Sequence, residues 1–221
     1  MTPAVIPAVI PTGGTVFLVD DDPGVLKALT RLLRVSGREV RAFASPQAFL
    51  SEHDPAAPGC LVLDVAMPLR SGLEVQQDLA ASGVERAVVF ISGQGDVPTS
   101  VRAMKAGAVD FLTKPFDDSQ LLAAVQAAIE RDDVMRRTRA ERQAVERKLA
   151  TLTSRERQVL EHLVAGRLNK HIAAALGTVE KTIKVHRGRI MHKMGATSLV
   201  DLVRMADLAG VRPAPAQLPR D

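Results

Sequence analysis

Residues 15–22 have the sequence Thr-Val-Phe-Leu-Val-Asp-Asp-Asp, in which five apolar or β-branched residues run directly into three carboxylates. Short, nearly continuous apolar runs are typical of strands that are buried on both faces of a sheet. Four more runs of this kind follow along the chain, at 39–43, 60–64, 87–92 and 109–112. The sequence therefore predicts five strands, the first of them at 15–19.

Helix-like segments separate these runs. Gly37 and Gly107 stand where helices would end, and Ser45 stands where one would be capped. Strict alternation of strands and helices predicts a doubly wound α/β domain, with a five-stranded parallel sheet covered by helices on both faces. The predicted helices cover residues 23–36, 45–53, 72–82, 97–106 and 118–133.

Beyond residue 150 the strand pattern disappears and four helical segments follow. Thr153 and Glu156 have the spacing of a capping box. The second and third of these segments predict a helix-turn-helix at Arg167–His186, with Thr178 as the N-cap of its second helix. We expect a second, smaller all-α domain with helices at 154–165, 168–176, 179–194 and 198–209.

Charge divides along the chain in the same way. Residues 1–133 hold 11 basic and 17 acidic side chains, whereas residues 134–221 hold 18 and 8, so the net charges are −6 and +10. A basic unit suits phosphate-rich polymers such as nucleic acid. We expect a flexible tail at 1–13, an α/β domain at 14–133, a solvated helical linker at 134–150, the helix-turn-helix domain at 151–212 and a tail at 213–221.

Compartment and membrane association are also predicted from the composition. The single cysteine, Cys60, lies in an apolar run and favours a reducing compartment. The segment 1–7 has no basic region and is interrupted by prolines, which is atypical of a signal peptide. No stretch has the roughly 20 apolar residues that are needed to span a bilayer. We therefore expect a cytoplasmic protein without membrane association.

Polar residues stand where several predicted strands end. Asp20 to Asp22 follow the first strand, Asp64 ends the third, Ser92 ends the fourth, and Lys114 follows the fifth. The carboxyl ends of parallel strands meet at one edge of a sheet, so these side chains should converge. Carboxylates are hard oxygen ligands that suit Mg²⁺, and a lysine can hold a phosphoryl oxygen.

These motifs resemble the receiver domain of two-component response regulators over roughly residues 14–133. The resemblance rests on Val19 to Asp22, Asp64 with Met67-Pro68, Ser92-Gly93, and 110–116, Asp-Phe-Leu-Thr-Lys-Pro-Phe. It implies a flavodoxin-like fold in which Asp64 takes a phosphoryl group from a sensor histidine kinase. It also implies Mg²⁺ bound by Asp21, Asp64 and the Ala66 carbonyl, with Asp20 acting through water, while Lys114, Ser92 and Phe111 contact the phosphoryl group or act as a switch.

Two enzyme classes compete with this interpretation. A Rossmann nucleotide binder needs a glycine fingerprint after the first strand, where this chain has three carboxylates. A phosphatase with an aspartyl nucleophile would need a second acid two residues later, where Ala66 stands. We expect a protein without separate catalytic turnover, and the phosphatase and a scaffold that binds no DNA remain the alternatives.

In the basic half, Ile183, Ile190 and Met194 recur at helical spacing and should pack inward. This leaves Lys184 and Val185 as candidates for base contacts in the major groove. The residues expected to contact phosphates or complete the surface are Lys170, Thr182, His186, Arg187 and Arg189.

The basic half resembles the LuxR-type DNA-binding domain over roughly 151–212. The resemblance rests on 152–156, 164–166, 169–173 and 182–186. With the receiver motifs it implies the FixJ/NarL class, a transcription regulator that controls promoter DNA. One departure is Gly188, where NarL-like members often carry lysine. The class further implies a homodimer formed on phosphorylation through Val101, Met104 and Lys105, with activation of transcription and RNA polymerase as a partner.

Overall fold

The computed structural model describes residues 14–93 and 97–215. These residues belong to two compact units that divide between Arg136 and Arg137. Each unit has apolar residues packed in a core of its own. Across the described ranges, no helix is long and apolar enough to cross a membrane.

The first unit contains a fully parallel sheet with the strand order β2-β1-β3-β4-β5. Its strands begin and end within one residue of the predicted positions, which confirms the predicted five-stranded α/β fold. The strands are β1 (Thr15–Val19), β2 (Val40–Phe43), β3 (Gly59–Asp64), β4 (Ala87–Ser92) and β5 (Asp110–Thr113).

Alternation along each strand divides the core into two layers. Val16 and Leu18 pack on one side of the sheet, while Phe17 and Val19 pack on the other. Burial on both faces explains why the strand sequences are apolar without alternation. The helices of this unit are α1 (Pro23–Val35), α2 (Pro46–Glu52), α3 (Gly72–Ala81), α4 (Val97–Lys105) and the start of α5 (Asp118–Ala150).

The second unit is all helical, as predicted. Its core includes Val159, Ile172 and Leu202, which have no measurable exposure. The buried residues on its longest helix are Ile183, Ile190 and Met194, so the predicted inward face is confirmed. Its helices are α6 (Ser154–Val164), α7 (Asn169–Ala175), α8 (Glu180–Met194) and α9 (Leu199–Leu208).

The predicted N-cap residues contain one error. The capping box of Thr153 and Glu156 is present at the start of α6. The N-cap prediction for Thr178 is wrong, because Val179 takes that position before α8 and makes no side-chain cap hydrogen bond. Thr178 instead closes the end of α7, where its backbone N–H donates to the carbonyl of Ala173 at 2.9 Å.

The predicted linker segment is helical throughout, because α5 extends to Ala150. It is not solvated along its whole length. Val145 and Leu149 are each only 7% exposed and belong to the core of the second unit. These two residues are four apart, so they lie on one face of the helix and pack there.

Candidate functional site

The carboxyl edge of the sheet brings together three of the predicted site residues. The Nζ atom of Lys114 lies 2.8 Å from Oδ2 of Asp20 and 2.8 Å from Oδ1 of Asp64. Asp20 follows β1, Asp64 ends β3, and Lys114 follows β5, so each side chain is delivered by a different parallel strand. One ammonium group therefore bridges two carboxylates.

Both carboxylates are buried. Asp20 is 1% exposed and Asp64 is 4% exposed. Burial raises the pKa of the Asp20 carboxyl above its ordinary value, and the hydrogen bond from Lys114 only partly offsets that effect. Burial alone would lower the pKa of Lys114, but its hydrogen bonds to Asp20 and Asp64 outweigh burial and raise it. Lys114 is thus held in its charged form beside the two acids.

Asp21 and Ala66, the other predicted metal ligands, are exposed beside this group. The second oxygen of Asp64, Oδ2, accepts the backbone N–H of Ala66 at 2.7 Å. Among the described residues, no three or more His, Cys, Asp or Glu side chains are grouped so that they alone would hold a metal ion. The oxygen donors at this edge are therefore two buried carboxylates with exposed groups beside them.

The proposed switch residues, Ser92 and Phe111, lie on the neighbouring strands β4 and β5. Ser92 is 1% exposed, and its carbonyl accepts the backbone N–H of Lys114 at 2.7 Å. Phe111 is half-buried, with its ring centroid 6.3 Å from that of Phe90. Pairing of β4 with β5 thus keeps Ser92 and Lys114 at the same edge.

Gly72, the first residue of α3, fixes the loop after Asp64. Its N–H donates to the carbonyl of Val65 at 3.0 Å. A Cβ atom at this position would lie 2.3 Å from the backbone carbonyl oxygen of Asp64, a separation that real side chains do not show. Only glycine lets the chain return so closely to the phosphoacceptor position predicted from the sequence.

The exposed face of α8 carries the residues that were predicted to contact bases. Lys184 and Val185 are exposed, and Lys184 lies 3.5 Å from Glu180 in an ion pair one turn away. Of the other predicted DNA contacts, Lys170 on α7 and Arg189 are exposed, whereas Thr182, His186 and Arg187 are half-buried. A solvent-accessible basic face therefore includes most of the predicted set.

Two further residues, not predicted from the sequence, fix the helix-turn-helix. Lys193 near the end of α8 donates to the buried Glu156 of α6 at 2.7 Å. Arg155 donates to the backbone carbonyl of Leu176, just before the turn that leads to α8. Sequence pattern gives no signal for either bond, because the partners are 37 and 21 residues apart.

The predicted dimer face on α4 is open to solvent. Val101 is 43% exposed and Met104 is 45% exposed, and Lys105 is exposed beside them. The three lie at spacings of three and four residues and so share one side of the helix.

Comparison with known proteins agrees with this geometry. The family model described as "Response regulator receiver domain" matches residues 16–126, and the model described as "Bacterial regulatory proteins, luxR family" matches residues 150–206. The chain belongs to the two-component response regulators. It is a DNA-binding transcription regulator with a LuxR-type domain, and its homologues are regulators rather than enzymes.

The response regulator has relatives that match over nearly the whole chain. FixJ of Azorhizobium caulinodans is 48% identical, with 93% of this chain and 97% of FixJ covered. Nodulation protein W of Bradyrhizobium diazoefficiens is 46% identical, with coverages of 90% and 88%. Among solved structures, the response regulator StyR is 44% identical with a TM-score of 0.75, covering 88% of this chain and 98% of StyR.

Proposed function

We propose that Asp64 is the phosphoacceptor of this response regulator, and that its phosphorylation by a sensor histidine kinase promotes dimerisation and sequence-specific binding to duplex promoter DNA. The observation that carries the proposal is the ammonium group of Lys114, held 2.8 Å from carboxylate oxygens of both Asp64 and Asp20. A fixed positive charge beside a nucleophilic carboxylate suits phosphoryl transfer.

The transfer is a single exchange of bonds. A carboxylate oxygen of Asp64 forms a bond to phosphorus while the bond from phosphorus to the kinase histidine nitrogen breaks, and the imidazole leaves. Lys114 keeps a charged donor next to the phosphoryl oxygens, and the buried Ser92 hydroxyl provides a second polar contact. Phe111 then follows the movement of Ser92 as the switch.

The donor set fits Mg²⁺. Asp20 and Asp64 offer hard carboxylate oxygens at one edge, and the exposed Asp21 and the Ala66 carbonyl lie next to them. A site with only a few protein ligands suits Mg²⁺, because this ion keeps several of its bound waters. When bound, Mg²⁺ supplies positive charge to the transferring phosphoryl oxygens.

On the DNA side, we propose that Lys184 and Val185 contact base edges in the major groove. Both are exposed near the start of α8, whose inner face is occupied by core residues. The residues proposed to position the phosphates, or to complete the surface around them, are Lys170, Thr182, His186, Arg187 and Arg189.

We further propose that two phosphorylated receivers associate through Val101, Met104 and Lys105, so that two DNA-binding domains engage two half-sites. The exposed apolar atoms of Val101 and Met104 support such a contact. In this arrangement the protein acts in the cytoplasm as an activator that contacts RNA polymerase.

Intact-mass measurement with Mg²⁺ and a small-molecule phosphodonor tests the central proposal. We expect one acid-labile phosphoryl adduct on the wild-type chain and none on Asp64→Asn. Glu85→Gln, at an exposed acid just before β4, is the control that should leave the adduct unchanged. An undiminished adduct on Asp64→Asn would move the phosphoacceptor away from Asp64.

A further inference from the structure

Gly188 occupies the middle of the exposed face of α8. It is the ninth of 15 residues in that helix, and it is exposed. Residues three and four apart share a helix face, so Gly188 lies next to Val185, Lys184 and His192. The centre of the basic face therefore has no side chain.

The fold itself gives no reason for a glycine at this position. An added Cβ would meet no atom of the described residues within 4 Å, and the backbone of Gly188 is helical without a positive φ. Gly72, in contrast, is required by the carbonyl of Asp64, and Gly195 ends α8 with a φ of 66°. Within residues 14–93 and 97–215, Gly188 is the one glycine in a helix beyond its first turn.

This glycine also has a cost. Glycine in an exposed helix interior destabilises a protein by about 1 kcal/mol relative to alanine, because the unfolded chain gains conformational freedom. Gly188 lowers stability, no contact within the described chain demands it, and it lies on the exposed face of α8. We therefore expect it to serve a contact with a partner outside the chain.

We infer that Gly188 is a specificity-determining position, at which the backbone of α8 approaches the floor of the DNA major groove more closely than any side chain would allow. The inference rests on the proposed function, in which this face of α8 contacts DNA. The gap that the missing side chain leaves at Gly188 is bordered by the exposed Lys184 and Val185. Close approach of α8 to the DNA at this gap therefore brings both side chains to the base edges. A β-carbon at 188 holds the helix away from the groove and weakens those contacts together.

The test uses the full-length protein and a duplex selected by the wild-type protein from a random pool, with a scrambled duplex of equal length. We expect Gly188→Ala to raise the unfolding midpoint yet weaken the selected duplex by about tenfold, and Gly188→Leu to weaken it further. Binding to the scrambled duplex should change much less, because phosphate contacts tolerate a small outward shift. Circular dichroism is the readout of unfolding, since the chain has no Trp or Tyr.

Two controls separate the possible causes. Val200→Ala, at a residue 79% exposed on α9, raises helix propensity outside α8 and should leave the preference for the selected duplex unchanged. If Gly188 served only to make the helix flexible, Gly188→Ala would cause the full loss of affinity for the selected duplex, and Gly188→Leu would cause no further loss. Either that result or unchanged binding by Gly188→Ala overturns the inference. If Lys184→Ala also leaves binding unchanged, the proposed DNA face of α8 fails as well; if Lys184→Ala weakens binding, only the role of Gly188 fails.

Discussion

Nζ of Lys193 lies 2.7 Å from Oε2 of Glu156, which joins the end of α8 to the start of α6. Glu156 is only 2% exposed, and it also accepts the backbone N–H of Thr153 in the capping box. The hydrogen bond from Lys193, together with that from Thr153, lowers the pKa of Glu156 to about 2. One buried, ionised carboxylate thus joins the end of α8 to the start of α6.

The first prediction concerns acid stability of the helical unit. Since the folded-state pKa of Glu156 is about 2 and its ordinary value is 4.5, the ionised group stabilises the fold above pH 4.5. That contribution is lost as the pH falls from 4.5 towards 2. Glu156→Gln should therefore reduce stability at neutral pH by about 1–3 kcal/mol and flatten this acid-dependent loss. Hydrogen exchange of peptides from residues 154–194, followed at a series of pH values, measures this pH dependence of stability.

Glu141→Gln, at an exposed position on α5, is the matched control and should leave this pH dependence unchanged. If Glu156→Gln retained the wild-type loss of protection between pH 4.5 and 2, the Lys193 contact would not be the stabilising one.

The second prediction concerns Gly72 and the loop that follows Asp64. In Gly72→Ala, the new methyl group must push away the Asp64 carbonyl oxygen, which it would otherwise approach to 2.3 Å. We expect a loss of about 1–3 kcal/mol in stability and slower phosphorylation, because β3 must shift at the proposed phosphoacceptor. Gly83→Ala is not a neutral control, since Gly83 has a φ of 71°. Among the residues that the structure describes, nothing lies within 4 Å of a Cβ added at Gly93, so Gly93→Ala tests whether any added methyl near this edge has the same effect on stability.

The fold and the centre of the site were predictable because they follow from local pattern. Four of the five described strands end where the apolar run meets a polar residue, and parallel strands bring those residues to one edge, so the meeting of Asp20, Asp64 and Lys114 follows from the topology. The bond from Gly59 N–H to Asp132, 73 residues away, depends on how a whole helix packs. Sequence pattern carries no information about such a pair.

Two features of the structure differ from the sequence predictions, and both differences have local causes. Thr178 has the residue type of an N-cap, but its N–H already closes α7, so the next residue becomes the cap. In the polar segment 134–150, Val145 and Leu149 form an apolar pair at helical spacing, and that pair was the signal for burial in the second core.

The third prediction concerns Lys114. Lys114→Met removes the ammonium group and leaves the buried carboxylates of Asp20 and Asp64 without their shared partner. We expect the rate of phosphorylation by a small-molecule donor to fall about 100-fold, as when one charge-stabilising donor is removed from an enzyme site. Lys27→Met, on the exposed side of α1, should leave the rate unchanged. Wild-type rates in Lys114→Met, measured by intact mass over time, would contradict a role for this lysine in the transfer.

The fourth prediction separates base contacts from phosphate contacts. Lys184→Ala should weaken a selected duplex more than a scrambled one, because a base contact is lost, whereas Lys170→Ala should weaken both alike. In Lys170→Ala, the number of counterions released on binding, read from the salt dependence of affinity, should fall by about one, since each phosphate contact releases an ion. Fluorescence anisotropy of labelled duplexes at several salt concentrations measures both effects. Equal losses on the two duplexes for Lys184→Ala would make it a phosphate contact.

The last prediction concerns the exposed face of α4. Val101 and Met104 are each more than two-fifths exposed, so a second receiver can cover apolar surface that is in water in the single chain. Reversing a 99:1 preference for the monomer would need about 5.5 kcal/mol of differential stabilisation, and we therefore expect phosphorylation to give a partial shift to dimer. DNA with two half-sites amplifies that shift, because the second domain binds at high effective concentration.

In sedimentation velocity, Val101→Asp should weaken the phosphorylated dimer without reducing the phosphoryl adduct. The control Val35→Asp, at a residue 81% exposed at the end of α1, should leave the dimer unchanged. A phosphorylated wild-type protein that stays monomeric yet gains DNA affinity would instead favour release of the DNA-binding domain as the means of activation.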